Sequence, residues 1–210
     1  MDKKQCLAAI YSASDKYKAY LADKNLLFVF QEKSNKVDVM ETVFKENNFL
    51  HLTGIDFTEG NEMSATDFFS HCINRRLSTN MIVMKKGGMT EQKLSILSSL
   101  ITSSLSAKII GTYKGGRIRL MTNRLAGGIT GSMGFIENGG RYYPNTVLKG
   151  DIRDNIDRSR RVLAIFRKNI DAEKYEECTY LAKKVNLITL NIPEPFSYLA
   201  GCIYETRSPL

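Results

Sequence analysis

Between Ala107 and Thr146 the chain falls into four short β-forming segments, Ala107 to Tyr113, Arg117 to Arg124, Gly131 to Ile136 and Arg141 to Thr146, separated by Gly115-Gly116, Gly127-Gly128 and Asn138-Gly139-Gly140. Paired glycines supply the positive φ angles of tight turns and weaken any helix that contains them. The spacing therefore predicts an antiparallel meander. A sheet built this way must bury one apolar face, so the flanking segments have to provide cover.

Those segments have the required pattern. Leu7, Ile10, Tyr11, Ser14, Tyr17 and Leu21 recur at helical spacing, which predicts a helix over residues 5–22. Leu26 to Phe30, Phe49 to Ile55 and Met81 to Met84 are apolar runs of strand length. Ser64-Ala65-Thr66-Asp67 has the form of a capping box ahead of a helix carrying Phe68, Phe69, Cys72, Ile73 and Leu77, with Arg75 and Arg76 in its last turn. Leu94, Leu97, Ile101 and Leu105 form one stripe of a helix from Thr90 to Leu105. After the meander, Val162 to Arg167 reads as a strand and Asp171 as the cap of a helix bearing Tyr175, Cys178, Ala182 and Val185. Asn186 to Leu190 is a candidate closing strand, and Pro193 and Pro195 make the tail irregular. The expected fold is α+β: an antiparallel sheet of about five to seven strands, helices on one face, the other face open and polar. Residues 1–43, 44–190 and 191–210 are expected to form one compact domain.

The chain carries 30 Lys and Arg against 22 Asp and Glu, a formal charge of +8, which favours an anionic partner such as nucleic acid or a membrane surface. Cys6, Cys72, Cys178 and Cys202 include no C-x-x-C pair and sit among apolar neighbours, as free thiols of a reducing compartment do. With two histidines, the chain offers little to a structural metal site, and none is expected, nor any cofactor. No run of about 18 apolar residues is present, so the expectation is a cytoplasmic protein without a membrane partner.

Read as a strand, Phe49 to Ile55 puts His51 and Thr53 on one face. Imidazole suits proton transfer near neutral pH, and a neighbouring hydroxyl orients a phosphate or the ring. His71 lies among core-like residues and is read as structural. Arg117 and Arg119 alternate with Ile118 and Leu120, presenting two guanidinium groups on one sheet face, an arrangement that suits phosphate. The glycine-rich stretch Ala126 to Gly134 lacks the Gly-Lys-Ser/Thr ending of a nucleotide-binding loop and leads into a strand, so it predicts a hairpin, with Ser132 a ligand contact. The densest cluster is Arg141-Tyr142-Tyr143-Pro144-Asn145-Thr146-Val147-Leu148-Lys149-Gly150-Asp151-Ile152-Arg153. Its aromatics interleaved with cations match single-stranded RNA recognition, where bases stack on rings and phosphates meet Lys or Arg.

The words FLHLTGI, SMGF and YYPNTVLKGDIR resemble the fourth group of the phage-Barnase-EndoU-Colicin-RelE-like (BECR) nuclease domains, over about Phe44 to Lys184. The resemblance implies a curved antiparallel sheet and metal-independent RNA cleavage, in a toxin or mobile-element effector with a neutralising protein partner. The implied reaction is attack of a ribose 2'-hydroxyl on the adjacent phosphate, giving a 2',3'-cyclic phosphate. It would use His51 as acid or base and Thr53 to orient substrate or ring. Arg153 or Arg119 would stabilise the phosphorane, Ser132, Asn145 and Thr146 would donate hydrogen bonds, Tyr143 would stack on a base, and Arg117 and Lys149 would hold phosphate. Glu137 and Glu62 are the carboxylates available as a second proton carrier. Two alternatives stay open: a nucleic-acid-binding module without catalysis, and an ADP-ribosyltransferase-like arrangement that holds NAD.

Overall fold

The computed structural model describes residues 1–32, 36–115 and 121–201. Asp2 starts the first helix, α1 (Lys3–Tyr20), by a capping box: its carboxylate accepts from the Gln5 amide while the Gln5 side chain accepts from the Asp2 amide. Two strands follow, β1 (Lys24–Gln31) and β2 (Val37–Phe44), paired antiparallel. A single turn of helix, α2 (Phe49–Thr53), then leads to β3 (Ile55–Phe57), α3 (Ala65–Ile73), β4 (Ile82–Met84) and α4 (Met89–Leu100). β5 (Ile109–Thr112), β6 (Arg124–Gly127), β7 (Gly131–Asn138), β8 (Arg141–Lys149), β9 (Arg160–Asn169) and β10 (Glu177–Leu181) complete the fold.

The meander is present, with one strand displaced: the segment expected at Arg117 to Arg124 lies partly outside the described residues, and the strand there, β6, runs over Arg124–Gly127 and takes in Gly127, because it pairs with β5 and β7 at that register. β7 and β8 join through Gly139-Gly140, both at positive φ (60° and 78°), the geometry that a two-residue hairpin turn needs. The large sheet has eight strands in the order β1-β2-β8-β7-β6-β5-β9-β10, and β1 also pairs with β9. That last pairing closes seven strands into a ring, with β10 added outside on the edge of β9. Every junction is antiparallel except β2–β8, a parallel contact through the Thr42–Tyr142 pair. β3 and β4 form a small separate sheet.

The concave side of the ring holds the main core. Phe28 from β1 and Phe44 from β2 meet Phe135 of β7 across the interior, with ring centroids 6.3 and 6.1 Å apart. The helices fill one end of this concavity: Tyr17 of α1 packs on Phe44, Phe49 and Phe69, and its hydroxyl donates to the Lys45 carbonyl at 2.8 Å.

Several expectations change. Phe49 to Ile55 is not one strand. Phe49 and Leu52 face the core one helical turn apart, and Gly54 ends the turn in the left-handed conformation, so a short apolar run that fits either period became helix. α3 stops at Ile73, before Arg75 and Arg76, and Arg75 takes a positive φ of 57°. α4 ends at Leu100, short of Leu105. The helix expected after Asp171 is instead β10, because the free edge of β9 offers a ladder that Glu177 anchors by a bidentate pair with Arg167, both bonds 2.8 Å. Leu187–Thr189 is a turn of 3-10 helix capped by the Asn186 side chain, and no strand. β2 was not anticipated, since Asp38 and Glu41 interrupt its apolar pattern.

The convex face is not open throughout. Tyr175, Leu187, Ile192 and Leu199 from the C-terminal segment lie on Leu27, Val29, Ala164 and Phe166, and Ile152 and Ile156 cover Leu125. Glu41 joins three parts of this layer: it accepts from the Tyr175 hydroxyl at 2.7 Å and from Arg141 Nε at 3.2 Å. Phe135, fully buried at the centre of the ring, is the residue on which both sides of the concavity converge. Phe135→Ala is expected to cost about 3–5 kcal/mol in urea-induced unfolding; a loss below about 1 kcal/mol would show that the ring does not depend on this contact.

Candidate functional site

Strand alternation decides which side chains stand at the end of the ring away from the helices. On β6, Ala126 faces the concave core, and two residues earlier Arg124 faces the same way. Its guanidinium lies 5.6 Å from the centroid of Phe30 on β1 and 5.7 Å from that of Tyr142 on β8. Arg124 Nε donates to the Tyr142 hydroxyl at 3.2 Å, and that hydroxyl donates to Glu137 Oε2 at 3.1 Å. Burial pushes the Tyr142 phenol above its ordinary value, Arg124 opposes this and Glu137 adds to it, so the group is a protonated donor at neutral pH. Glu137 itself is exposed at the end of β7.

A second guanidinium stands nearby. Phe30 pairs with Val162 across β1–β9, and two residues further on Glu32, just past the end of β1, forms an ion pair with Arg160 at the start of β9. Among the described residues, Arg124 Nη1 and Arg160 Nη1 are both buried without a hydrogen-bond partner. Buried cationic donors left unsatisfied are costly, and an anion that reached them would satisfy them. The arrangement can grip a phosphate-like group beside an exposed carboxylate able to accept a proton.

The residues singled out from sequence lie in other places. His51 is exposed on α2, past the far end of β2, whereas the Arg124 cluster adjoins Phe30 and the start of β8. Thr53 is fully buried, and its hydroxyl donates to the Leu50 carbonyl at 2.8 Å. Beneath His51 runs Lys93 of α4, whose Nζ donates to the His51 carbonyl at 3.0 Å. Gly54 makes room for it: a Cβ there would stand 2.7 Å from Lys93 Cδ. Desolvation, with Lys85 adding repulsion, lowers the Lys93 amine to about 8. His71 hydrogen-bonds through Nδ1 to the Asp67 carbonyl at 2.8 Å.

Ser132 and Thr146 are buried on the convex side of β7 and β8, their hydroxyl oxygens without a partner among the described residues. The Asn145 side chain donates to the Met121 carbonyl and accepts from the Thr122 hydroxyl, tethering the chain just before β6 to the register shift beside Pro144. Tyr143 is half-buried and Lys149 exposed. Arg153 clasps Asp151 within one turn, Nε to Oδ1 and Oδ2 at 3.0 and 3.1 Å, which holds the Asp151 carboxyl down to about 2. Arg117 and Arg119 lie outside the described residues. Glu62 sits in the exposed loop before α3. Among the described residues no three His, Cys, Asp or Glu side chains come together as a metal-binding group, and no helix is long and apolar enough to cross a membrane. Arg124 escaped the sequence analysis because its partners come from strands distant in sequence; the visible signal was its alternation with Leu125.

The ringed sheet of this α+β fold carries its helices at one end of the concave core and the hydrogen-bonded Arg124, Tyr142 and Glu137 at the other. Residues 9–184 match a known family described as phage-Barnase-EndoU-ColicinE5/D-RelE like nuclease 4, and the chain belongs to that nuclease family. No curated protein and no solved structure matches the chain.

Lys93 supports a prediction of its own. Its amine is lowered in the folded state relative to 10.5, so the folded chain binds fewer protons than the unfolded chain between about 8 and 10.5. Stability contributed at this site is therefore smallest below pH 8 and rises through that window. Lys93→Met is expected to raise the melting temperature at pH 7 relative to the parent, with the difference shrinking toward pH 10; a difference independent of pH would refute the assignment.

Proposed function

We propose that the chain is a metal-independent endoribonuclease of the kind deployed as a toxin or mobile-element effector, acting on RNA in the cytoplasm. The observation that carries this is the Arg124–Tyr142–Glu137 line, with its unsatisfied buried guanidinium nitrogen, in a nuclease-family domain of net charge +8. In this scheme the scissile phosphate rests on Arg124. Glu137 takes the proton of the ribose 2'-hydroxyl as its oxygen bonds to phosphorus, the bond to the 5'-oxygen breaks, and that oxygen takes a proton from water. A 2',3'-cyclic phosphate and a 5'-hydroxyl result. Arg124 faces the charge that builds on phosphorus. Tyr142, protonated and hydrogen-bonded to both neighbours, is a positioning residue that fixes the carboxylate.

His51 as acid or base, with Thr53 orienting the ring and Arg153 stabilising the phosphorane, is the competing proposal, and Lys149, Tyr143, Arg117 and Arg119 are proposed contacts for the flanking strand. One experiment separates the two sets. Bacterial RNA incubated with the purified chain in EDTA should yield cyclic-phosphate ends, and Glu137→Gln should slow cleavage by about 100-fold or more, while His51→Ala stays within a few-fold of the parent. Cleavage lost in His51→Ala and retained in Glu137→Gln would move the chemistry to α2. Intact RNA with the parent chain would replace the ribonuclease by a module that binds nucleic acid without cutting it.

A further inference from the structure

We infer that the cleft beside this site, lined by Gln31, Glu32 and residues 158–161, is a subsite for the phosphate backbone of the single strand leading away from the scissile bond; the inference rests on the ribonuclease proposal. The cleft encloses about 460 Å³ where the start of β9 meets the end of β1. It adjoins the Arg124 cluster directly, because Arg160 and Glu32 stand two residues beyond Val162 and Phe30, whose ring Arg124 covers.

Its lining sets three guanidinium groups, Arg158, Arg160 and Arg161, against one carboxylate, Glu32, which is already paired to Arg160. Arg160 keeps a buried Nη1 with no partner among the described residues, and Arg161 spends Nη2 on the Lys183 carbonyl at 2.8 Å, which leaves its other donors available. Arg158 is exposed. A neighbouring hollow of about 250 Å³ shares Gln31 and Arg161 and adds Lys184, which continues the cationic track. Three forked donors spread around one cleft, Arg160 from the inward side of β9 and Arg161 from the outward side, match successive phosphates and fit a single compact anion poorly. Among the described residues no aromatic ring lines the 460 Å³ cleft, so contact there is with backbone, independent of sequence.

The full chain carrying Glu137→Gln, silenced for cleavage, would be titrated by fluorescence anisotropy with labelled oligouridylate over a range of salt concentrations. Arg158→Ala in that background is expected to weaken binding about fivefold or more and to flatten the plot of log affinity against log salt by about 0.7, the value for one phosphate contact on a single strand. Arg161→Ala, checked by thermal melting, should do the same, and oligoadenylate should bind like oligouridylate. Unchanged slope and affinity in Arg158→Ala would overturn the subsite. Uncut RNA with the parent chain alongside a flattened slope would sink the ribonuclease proposal and keep the cleft; cut RNA with an unchanged slope would do the reverse.

Discussion

The pairing of β1 with β9 is what the remaining structure depends on. Without it the sheet would be an open, twisted ribbon; with it, strands far apart in sequence share one concave interior in which Phe28, Phe44 and Phe135 touch. Each such ring, fully buried, contributes on the order of 1.5–3 kcal/mol. The interior is too wide to fill from the strands alone, so α1, α2 and α4 supply the missing volume through Ile10, Leu52 and Leu97.

Because the helices enter from one end only, the other end ends in charge. Arg124 and Arg160 stand where the apolar layers stop, each supported on one side, by an aromatic face or by Glu32, and unsatisfied on the other. Lys93 shows the same economy elsewhere: an amine drawn down to about 8 because it fills the gap under α2 with its aliphatic stem. In both places a long cationic side chain serves the packing first and leaves its head group with unusual properties.

Local chemistry made part of this legible from sequence. Gly139-Gly140 marked the β7–β8 hairpin, the apolar run Leu26 to Phe30 marked β1, and Ser64 marked the start of α3, since turns and caps are decided by neighbouring residues. What depended on distant partners was hidden. Glu177 to Leu181 became a strand only because β9 had a vacant edge, and Phe49 to Thr53 coiled because Phe49 and Leu52 had the same core to reach. The candidate site shows the same division. Glu137 and the Tyr142-Tyr143 pair could be picked out as chemically able residues, but their meeting with Arg124 is a product of register between β6, β7 and β8. The FLHLTGI word was conspicuous, yet in the fold much of it is explained by burial: Thr53 caps its own turn and Gly54 clears a path for Lys93.

The ring is not equally strong all the way round. β1 and β9 are laddered from Lys24 to Phe30, and β7 and β8 along their whole length, but β2 and β8 meet in register only at Thr42 and Tyr142, reinforced by the Arg141–Glu41 ion pair. Local opening follows the weakest set of contacts. The ring thus has two thin joints, the β2–β8 contact and the two-pair β5–β9 contact, and the first lies at Tyr142, beside Arg124 and Glu137. A small parting at the β2–β8 joint would loosen the Phe44–Phe135 contact and open the ring beside Tyr142, while the long β1–β9 and β7–β8 ladders hold.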